Sequence, residues 1–243
     1  MIGIIGAVAY TMRPREVRVA PQPTATLPPD TSIVVKGGDA VQLKGAARNV
    51  AVKFKEQVTT RDGQTKLIGA EIFVDNRGGR NFVVTADEAH IGKDQSAFDA
   101  KGHVHLTSDD GFEANAETAT YVEAEKIVKA PGPVTYKQGR MSGSGVGFLY
   151  DTQRNTIWLS DQAVVDFAKT DTADEMHVKA GAAGFARTDR YMRFEKGTHL
   201  ERAGQVIDST DAMVFLFQDR DEPDRIELRG DARITGSADR TAY

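Results

Sequence analysis

Phe112–Asp151 reads FEANAETATYVEAEKIVKAPGPVTYKQGRMSGSGVGFLYD, and this stretch decides the fold of the chain. From Phe112 to Glu117 apolar and polar residues alternate, and an alternation with period two is typical of a strand with one dry face and one wet face. A second strand is predicted from Lys126 to Tyr136, and a third begins at Gly139. The stretch therefore predicts strands that follow one another directly along the chain.

A pair of small residues in this stretch recurs along the sequence. Its copies begin at Ala86, Ala116, Gly145, Ala180 and Thr210, so the spacings are 30, 29, 35 and 30 residues. A second landmark, Gly-x-Val or a variant of it, begins at Gly102, Gly132, Asp161, Gly197 and Gly230. Self-similarity at a fixed period of this size indicates an array of supersecondary units that cannot bury their apolar faces alone. The predicted repeating unit is a pair of strands.

Composition excludes several classes of protein. The chain has 243 residues, a formal net charge of −4 and no basic stripe, which argues against a nucleic-acid partner. It has no cysteine, which excludes disulfides, thiolate metal sites and a cysteine nucleophile, and which suits an oxidising compartment. Its hydrophobic content of 40% and charged content of 27% are ordinary for a soluble globular protein, so a folded domain is expected.

The amino terminus differs from the rest of the chain. Residues 1–12 form an uncharged apolar run that is too short to cross a bilayer as a helix, which takes about twenty residues. One interpretation is a remnant of a membrane anchor that starts upstream, and the alternative is a weakly packed terminus. Arg13 and Arg15 argue against the anchor, because they lie on the wrong side for the positive-inside rule. Residues 13–31, with four prolines between Ala20 and Pro29, predict an extended linker.

From Ser32 onward the sequence predicts an all-β domain over residues 32–243. Lys36-Gly37-Gly38-Asp39 separates two short apolar runs and predicts the turn of a hairpin. No window of eleven or more residues has an apolar stripe at helical spacing, apart from the ambiguous Ala163–Ala168.

Several segments resemble the OstA-like domain of the lipopolysaccharide-export bridge proteins. In that family a strand of the form Phe-x-Ala-x-x-Ala, followed by an aromatic residue, alternates with one that closes on Gly-x-Val. Gly139–Asp151 is similar to the corresponding segment of the membrane-anchored LptC members, and the resemblance as a whole covers residues 32 to about 235. The other segments that carry it are Phe82–Ile91, Ala100–Leu106, Gly111–Tyr121 and Gly132–Val134.

The resemblance implies an open, twisted β-jellyroll whose two sheets splay into a groove for lipid acyl chains. The inward positions mix large side chains with very small ones, which leaves room for an apolar slot. The alternative is that the small residues only let two twisted sheets approach closely. The residues predicted to line the groove are Phe82, Val84, Ala86, Val104, Phe112, Ala114, Ala116, Val134, Tyr136 and Phe148.

The resemblance also implies a location and partners. It predicts a non-enzymatic periplasmic component of lipopolysaccharide transport, anchored to the inner membrane by its N-terminal segment. Lipid A chains would pass to another OstA-like jellyroll that pairs with a strand edge, and an inner-membrane ATP-binding-cassette transporter would supply the energy. The predicted last strand, Arg225–Thr235, has no proline and is able to pair through its backbone, while an edge protected by alternating charges is the alternative.

Two other classes of protein give different expectations. A structural β-solenoid or adhesin-like repeat protein would have a filled core and no ligand. A carbohydrate-active jellyroll would need paired carboxylates inside a cleft, and the inward positions hold none.

Candidate sites for chemistry are few. His103 and His105 share a face of a predicted strand, but no third metal ligand follows, so a solvated surface is favoured. Gly143–Gly147 resembles a phosphate loop only loosely, because it lacks the Walker lysine and opens no helix. Asp219–Asp224 carries carboxylates suited to calcium, but a turn between two strands needs the same polar residues. Since no nucleophile motif is present either, the sequence predicts no catalytic residue, no metal site and no cofactor.

Overall fold

The computed structural model describes residues 33–44, 47–60, 64–77, 79–91, 97–122, 124–220 and 222–236. These residues form fifteen strands and no helix. The strands are β1 Ile33–Lys44, β2 Ala47–Thr59, β3 Thr65–Arg77, β4 Arg80–Ile91, β5 Ala97–Ser108, β6 Phe112–Val122, β7 Ile127–Gln138, β8 Met141–Asp151, β9 Thr156–Phe167, β10 Met176–Ala186, β11 Tyr191–Arg202, β12 Gln205–Ser209, β13 Asp211–Leu216, β14 Pro223–Arg229 and β15 Arg233–Thr235.

The strands form an antiparallel meander that divides into two layers. From β1 to β12 each strand pairs with the next one along the chain. The second half of β11, Thr198–Arg202, pairs with β12, whereas its first half, Tyr191–Phe194, pairs with β13. β15 then extends the sheet beyond β12, and β14 extends it beyond β13. We call the sheet that contains β12 the first layer and the sheet that contains β13 the second layer.

Each long strand contributes one half to each layer because it bends near its middle. The pairing register shifts there, as between Thr85 and Glu88 of β4, or between Lys101 and Val104 of β5. Such shifts are β-bulges, which bend the strand and increase its local twist. Gly102 has a φ of 74° at one of these bends, in the left-handed region that glycine adopts at no steric cost.

The two landmarks of the thirty-residue repeat fall at these bends. The small-residue pairs lie in the middle of the even-numbered strands β4, β6, β8 and β10, and the Gly-x-Val landmarks lie in the middle of β5 and β7. One period of the sequence is therefore a pair of bent strands, which confirms the predicted repeating unit.

The two layers face each other across an apolar interior. The rings of Phe82 in β4 and Tyr150 in β8 lie 6.2 Å apart between centroids. Four strand spacings separate β4 from β8 in the sheet, which is about 19 Å in a flat sheet at about 4.8 Å per strand. The contact is possible only because the bends fold the first half of β4 over the second half of β8. The predicted all-β, open β-jellyroll is confirmed.

The structure corrects one detail of the sequence interpretation and completes others. The predicted hairpin turn at Lys36–Asp39 is wrong, because β1 runs through it and pairs with β2 on both sides. Gly37, with a φ of 69°, bends the strand there without reversing it. The ambiguous Ala163–Ala168 lies mainly in β9, and the predicted last strand is β14 and β15, separated by a bend at Gly230. The predicted anchor and linker, residues 1–12 and 13–31, lie outside the described residues.

Candidate functional site

The ten predicted groove residues lie on the interior faces of the two layers. Eight of them are buried, and Val84 and Ala116 are half-buried. Ala116 pairs with Val104 on one side and Val134 on the other, so cross-strand neighbours of the predicted set share one face. The buried members are Phe82, Ala86, Val104, Phe112, Ala114, Val134, Tyr136 and Phe148.

The interior is packed unevenly along the molecule. A single large cluster fills it from β6 to β13 and includes Phe82 of β4, and its most enclosed side chains, such as Phe194, Leu200 and Val214, are 0% exposed. The other buried residues, which lie in β2 to β5, form two small separate clusters, one of which consists only of Ala86, Ala100 and Val104. Half-buried apolar side chains border these clusters: Val74, Val84 and Ala119 each pack against two of them, whereas Leu106 and Ala116 pack against the large cluster. We call the part of the interior under β3 to β6 loosely packed, because its buried clusters are small or are bordered by half-buried side chains.

A polar cluster joins the two layers at the edge of the sandwich that lies opposite the mid-strand bends. We call this edge the margin, and the turns between strands of the two layers meet there. The polar cluster is named the margin cluster, and it consists of Arg80 and Asp110 from the first layer and Tyr150, Asn155 and Arg187 from the second layer. Asp110 accepts hydrogen bonds from Arg187 at 2.5 Å and from Arg80 at 3.1 Å. Arg80 also donates to the Tyr150 hydroxyl and to the Asn155 amide oxygen. Its side chain is only 10% exposed, so this guanidinium bridges the layers from inside the protein.

The margin cluster rests directly on the aromatic part of the interior. The guanidinium of Arg80 lies 5.3 Å from the ring centroid of Phe82 and 5.5 Å from that of Tyr150. Arg187 lies 6.0 Å from the ring centroid of Phe112. Cations over aromatic faces are stabilised by the ring quadrupole, more strongly where water is excluded. The cluster thus places fixed positive charge at the edge of an apolar interior.

The charges of the margin cluster shift the pKa values of its acidic groups. Partial burial alone raises the pKa of Asp110, but the Ser108 hydroxyl and the guanidiniums of Arg187 and Arg80 outweigh it and lower this pKa to about 2. Burial raises the pKa of the Tyr150 hydroxyl, and the two arginines oppose that rise. Asp110 is therefore ionised and Tyr150 is neutral at any physiological pH.

A pocket of about 170 Å³ opens beside the margin cluster, between the two layers. Its apolar wall is formed by Met141, Phe167, Phe185 and Leu216. Its polar wall is formed by Gln138, Asn155, Arg187 and Arg190. Two of the residues that line it, Arg187 and Arg190, are cationic, and the carboxylate of Asp110 binds both Arg187 and Gln138 beside the pocket.

The other predicted candidates do not come together as a site. His103 bonds to Asp87 and His105 to Asn115, each at 2.7 Å, and the described part of the chain holds no group of three or more potential metal ligands. Gly143–Gly147 lies within β8 and is not a loop. Asp219–Asp224 includes the turn between β13 and β14, where Arg220 binds Glu222 at 2.9 Å.

Sequence reasoning missed the margin cluster, although the repeat contains a signal for it. Charged residues recur at intervals of 30 residues where even-numbered strands begin. Arg80 is the first residue of β4, and Asp110 and Arg140 lie in the turns that precede β6 and β8. Equivalent positions of a stacked repeat lie along one margin, so a series of charged residues there indicates interaction between turns. Arg187 carries no such signal, because it approaches Asp110 only through the folding of one layer over the other.

Three comparisons place the chain among known proteins. A family model described as lipopolysaccharide-assembly, LptC-related, matches residues 40–166, which is just over half of the chain. No curated protein is similar enough to match. Among solved structures, the chain is similar to LptH of Pseudomonas aeruginosa, described as the LptA homologous periplasmic component of the lipopolysaccharide transport device. That similarity covers 43% of this chain and 75% of LptH, with 20% sequence identity and a TM-score of 0.37.

The part of the chain that the structure describes contains no helix with the length and apolar character needed to cross a bilayer.

Proposed function

The chain belongs to the LptC-related family of lipopolysaccharide-assembly proteins, and on that premise we propose that it binds the acyl chains of lipid A between its two layers. The observation that carries this proposal is the loosely packed apolar interior under β3 to β6, which lies within the matched residues 40–166. In this proposal residues 32–243 form the jellyroll domain, and the groove is lined by the ten predicted residues.

The energetics of alkyl burial support this assignment. Each methylene group transferred from water to an apolar surface contributes about 0.8 kcal/mol. Small side chains such as Ala86, Ala100 and Ala116 present backbone and methyl groups at the interior surface, so a chain lying against them is enclosed without displacing a large side chain. Binding and release require no bond to be made or broken, and the proposed role is non-enzymatic.

We further propose that the protein acts in the periplasm and is held at the inner membrane by residues 1–12. Energy for transport would come from an inner-membrane ATP-binding-cassette transporter, and the acyl chains would pass to another jellyroll. The bent strand formed by β14 and β15 supports an edge-pairing site, because among the described strands β14 pairs with β13 alone and β15 with β12 alone. A strand edge with unpaired backbone groups is a template for another chain.

Photo-crosslinking from adjacent residues tests the lipid site. A photoreactive amino acid at Ala116, on the interior face, is expected to capture lipopolysaccharide from membrane extracts. The same amino acid at Glu117, which is exposed one position further along β6, is the matched control and is expected to capture none. Equal capture at the two positions, or capture at neither, would contradict the proposed groove.

A second pair of crosslinking positions tests the proposed edge. Ile234 of β15 is 60% exposed on the terminal bent strand, and Leu149 of β8 is an exposed apolar residue in the middle of the sheet. Crosslinking of a second jellyroll from Ile234 but not from Leu149 is expected. Capture at Leu149 alone would place the partner on a sheet face and refute edge pairing.

One observation favours a second candidate, a structural repeat protein with a filled core. From β8 to β13 the interior holds side chains that are fully buried, including Val165, Val178 and Phe194. Such packing leaves no volume for an acyl chain in that half. Absence of any lipid capture at Ala116 would favour this candidate for the whole domain.

A further inference from the structure

At the margin the two layers are separate segments of the chain, and side-chain bonds join them there. Arg80, in the first layer, donates to the Tyr150 hydroxyl and to the Asn155 amide oxygen in the second layer. Arg187, in the second layer, donates to the carboxylate of Asp110 in the first layer at 2.5 Å. At the bends, by contrast, the long strands themselves run from one layer into the other. The margin is therefore the side of the sandwich that can open without breaking a strand.

The margin cluster is a polar join, and water compensates for its separation. The side chains of Arg80, Arg187 and Asp110 are 10%, 12% and 28% exposed. Ionised groups lose hydration when they are buried, so a pair that separates regains water on both sides, which offsets much of the lost attraction. The Nη1 atom of Arg187 is buried without a hydrogen-bond partner among the described residues, and water would satisfy it in an open state. Apolar side chains gain no such compensation when they separate.

The margin cluster lies on the shortest route between the predicted groove and solvent. The guanidiniums of Arg80 and Arg187 lie over the rings of Phe82 and Phe112, which are both predicted groove residues. A charged sugar head group is costly to bury in an apolar interior, so it stays in solvent while its acyl chains lie inside. Because the chains are bonded to the head group, such a ligand spans the boundary between the interior and solvent. A ligand that takes the shortest route crosses the margin where the cluster closes it.

We propose that the margin cluster is a gate on the side of the groove: it opens to admit acyl chains sideways between the layers, and it closes the empty groove to water. This inference rests on the proposed function, because it assigns an entry route to the same ligand. Arg80 is the first residue of β4 and Asp110 precedes β6, so the gate lies at the edge of the loosely packed part under β3 to β6. Chains that enter there reach the small inward side chains of β6, Ala114 and Ala116, without crossing the closely packed half.

A covalent link between the two layers across the margin tests the gate. The full chain has no cysteine, so Asp109→Cys and Arg154→Cys introduce its only two thiols. Both residues are exposed, and each is next in sequence to a partner of Arg80, namely Asp110 in the first layer and Asn155 in the second. Bismaleimidoethane joins the two thiols after the protein has folded. The linked protein is expected to lose its loading with bisphosphorylated lipid A from neutral detergent, while the unlinked variant loads at the wild-type rate.

A link of the same kind within one layer is the matched control. In this variant Asn81→Cys takes the place of Arg154→Cys, and the backbone amide of Asn81 donates to the Asp109 carboxylate at 3.1 Å within the first layer. The link leaves the two layers free to separate, so the linked control is expected to load lipid A at the rate of its unlinked form. Loss of loading in both linked proteins would show that holding the layers together is not the cause, and would overturn the gate.

Asp110→Asn tests the gate without a link, and it decides where a cysteine variant does not fold. The variant loses the ion pairs with Arg80 and Arg187, so a larger fraction of the protein has its margin open. Lipid A is therefore expected to load faster than in the wild type. A merely structural role for the cluster would leave the loading rate unchanged or reduce the amount bound, and either result contradicts the gate.

The outcomes distinguish this inference from the function on which it rests. If the wild-type protein binds no lipid A, the proposed function fails, and the gate with it. If the protein linked across the margin loads lipid A at the rate of its unlinked form, the chains enter past an end of the sheet. In that case the groove stands and the gate is overturned.

Discussion

The uneven packing of the interior makes a quantitative prediction about two alanines. Ala116 in β6 is half-buried in the loosely packed part, whereas Ala212 in β13 is 0% exposed and pairs with the fully buried Phe194. Replacing each by leucine adds the same three carbon atoms to an inward-facing position. The two substitutions therefore report the space that is free at each position.

The expected change in the free energy of unfolding differs between the two variants. At Ala212 the added atoms have no space, and overpacking of a close-packed core costs about 1–3 kcal/mol. At Ala116 the added carbons contribute at most about 0.8 kcal/mol each, and only in proportion to their burial. Ordering the leucine side chain costs about 0.5–1 kcal/mol, so the net change in the free energy of unfolding should stay within about 0.5 kcal/mol of zero.

Urea denaturation measures both changes. The single tryptophan, Trp158, lies in β9 and reports on the packed half, while far-UV circular dichroism follows the whole sheet. Ala212→Leu should lower the midpoint and Ala116→Leu should leave it nearly unchanged. Ala116→Leu should also reduce lipid capture by filling the proposed groove. Equal destabilisation by the two variants, or a larger effect at Ala116, would refute the uneven packing and the groove with it.

Three further predictions concern single groups. The ionised carboxylate of Asp110 has its pKa lowered from 3.8 to about 2, so it stabilises the fold above about pH 4, and that contribution disappears as the pH falls towards 2. Between these pH values the wild type should lose about 1 kcal/mol more stability in urea titrations than Asp110→Asn, since water partly screens this margin; identical losses would show that the ion pairs do not contribute. The Asp208 carboxylate raises the pKa of His199, so Asp208→Asn should lower the midpoint of the His199 titration in proton NMR, and an unchanged midpoint would contradict the pairing. Gly197 has a φ of 85° and open space around the position of a side chain, so Gly197→Ala should cost about 1 kcal/mol of stability through backbone strain alone. Gly132→Ala is its control, with the same open space and no positive φ, and should stay within about 0.5 kcal/mol; a Gly197→Ala variant as stable as this control would show that the bend is not strained.

The glycines of the repeat show how far sequence reasoning reaches. The recurring Gly-x-Val landmarks predicted strand pairs correctly, and the structure places them at mid-strand bends. The same local chemistry at Lys36-Gly37-Gly38-Asp39 predicted a hairpin that does not exist. A glycine with positive φ serves a tight turn and a bulge equally well, so local composition cannot distinguish a reversal from a bend. Only the pairing of β1 with β2 along its whole length decides between them.

The sequence alone determined the class of structure, because alternation with period two and a thirty-residue repeat are local properties of the chain. The inward positions Phe82, Ala114 and Ala116 followed from the same alternation, since successive side chains on a strand point to opposite faces. Tertiary structure decided what lies opposite those positions. Whether Ala116 or Ala212 has free volume depends on side chains from the other layer, which are distant in sequence.

The margin cluster is the clearest example of a feature that tertiary structure decided. Arg187 stands 77 residues from Asp110 along the chain, and the two meet because every strand bends and carries half of itself into the second layer. An ion pair of this kind depends on the sum of many bends and twists, none of which is encoded next to either residue. The repeating pair of strands was predicted from the sequence, whereas the charged margin and the pocket beside it exist only in the folded chain.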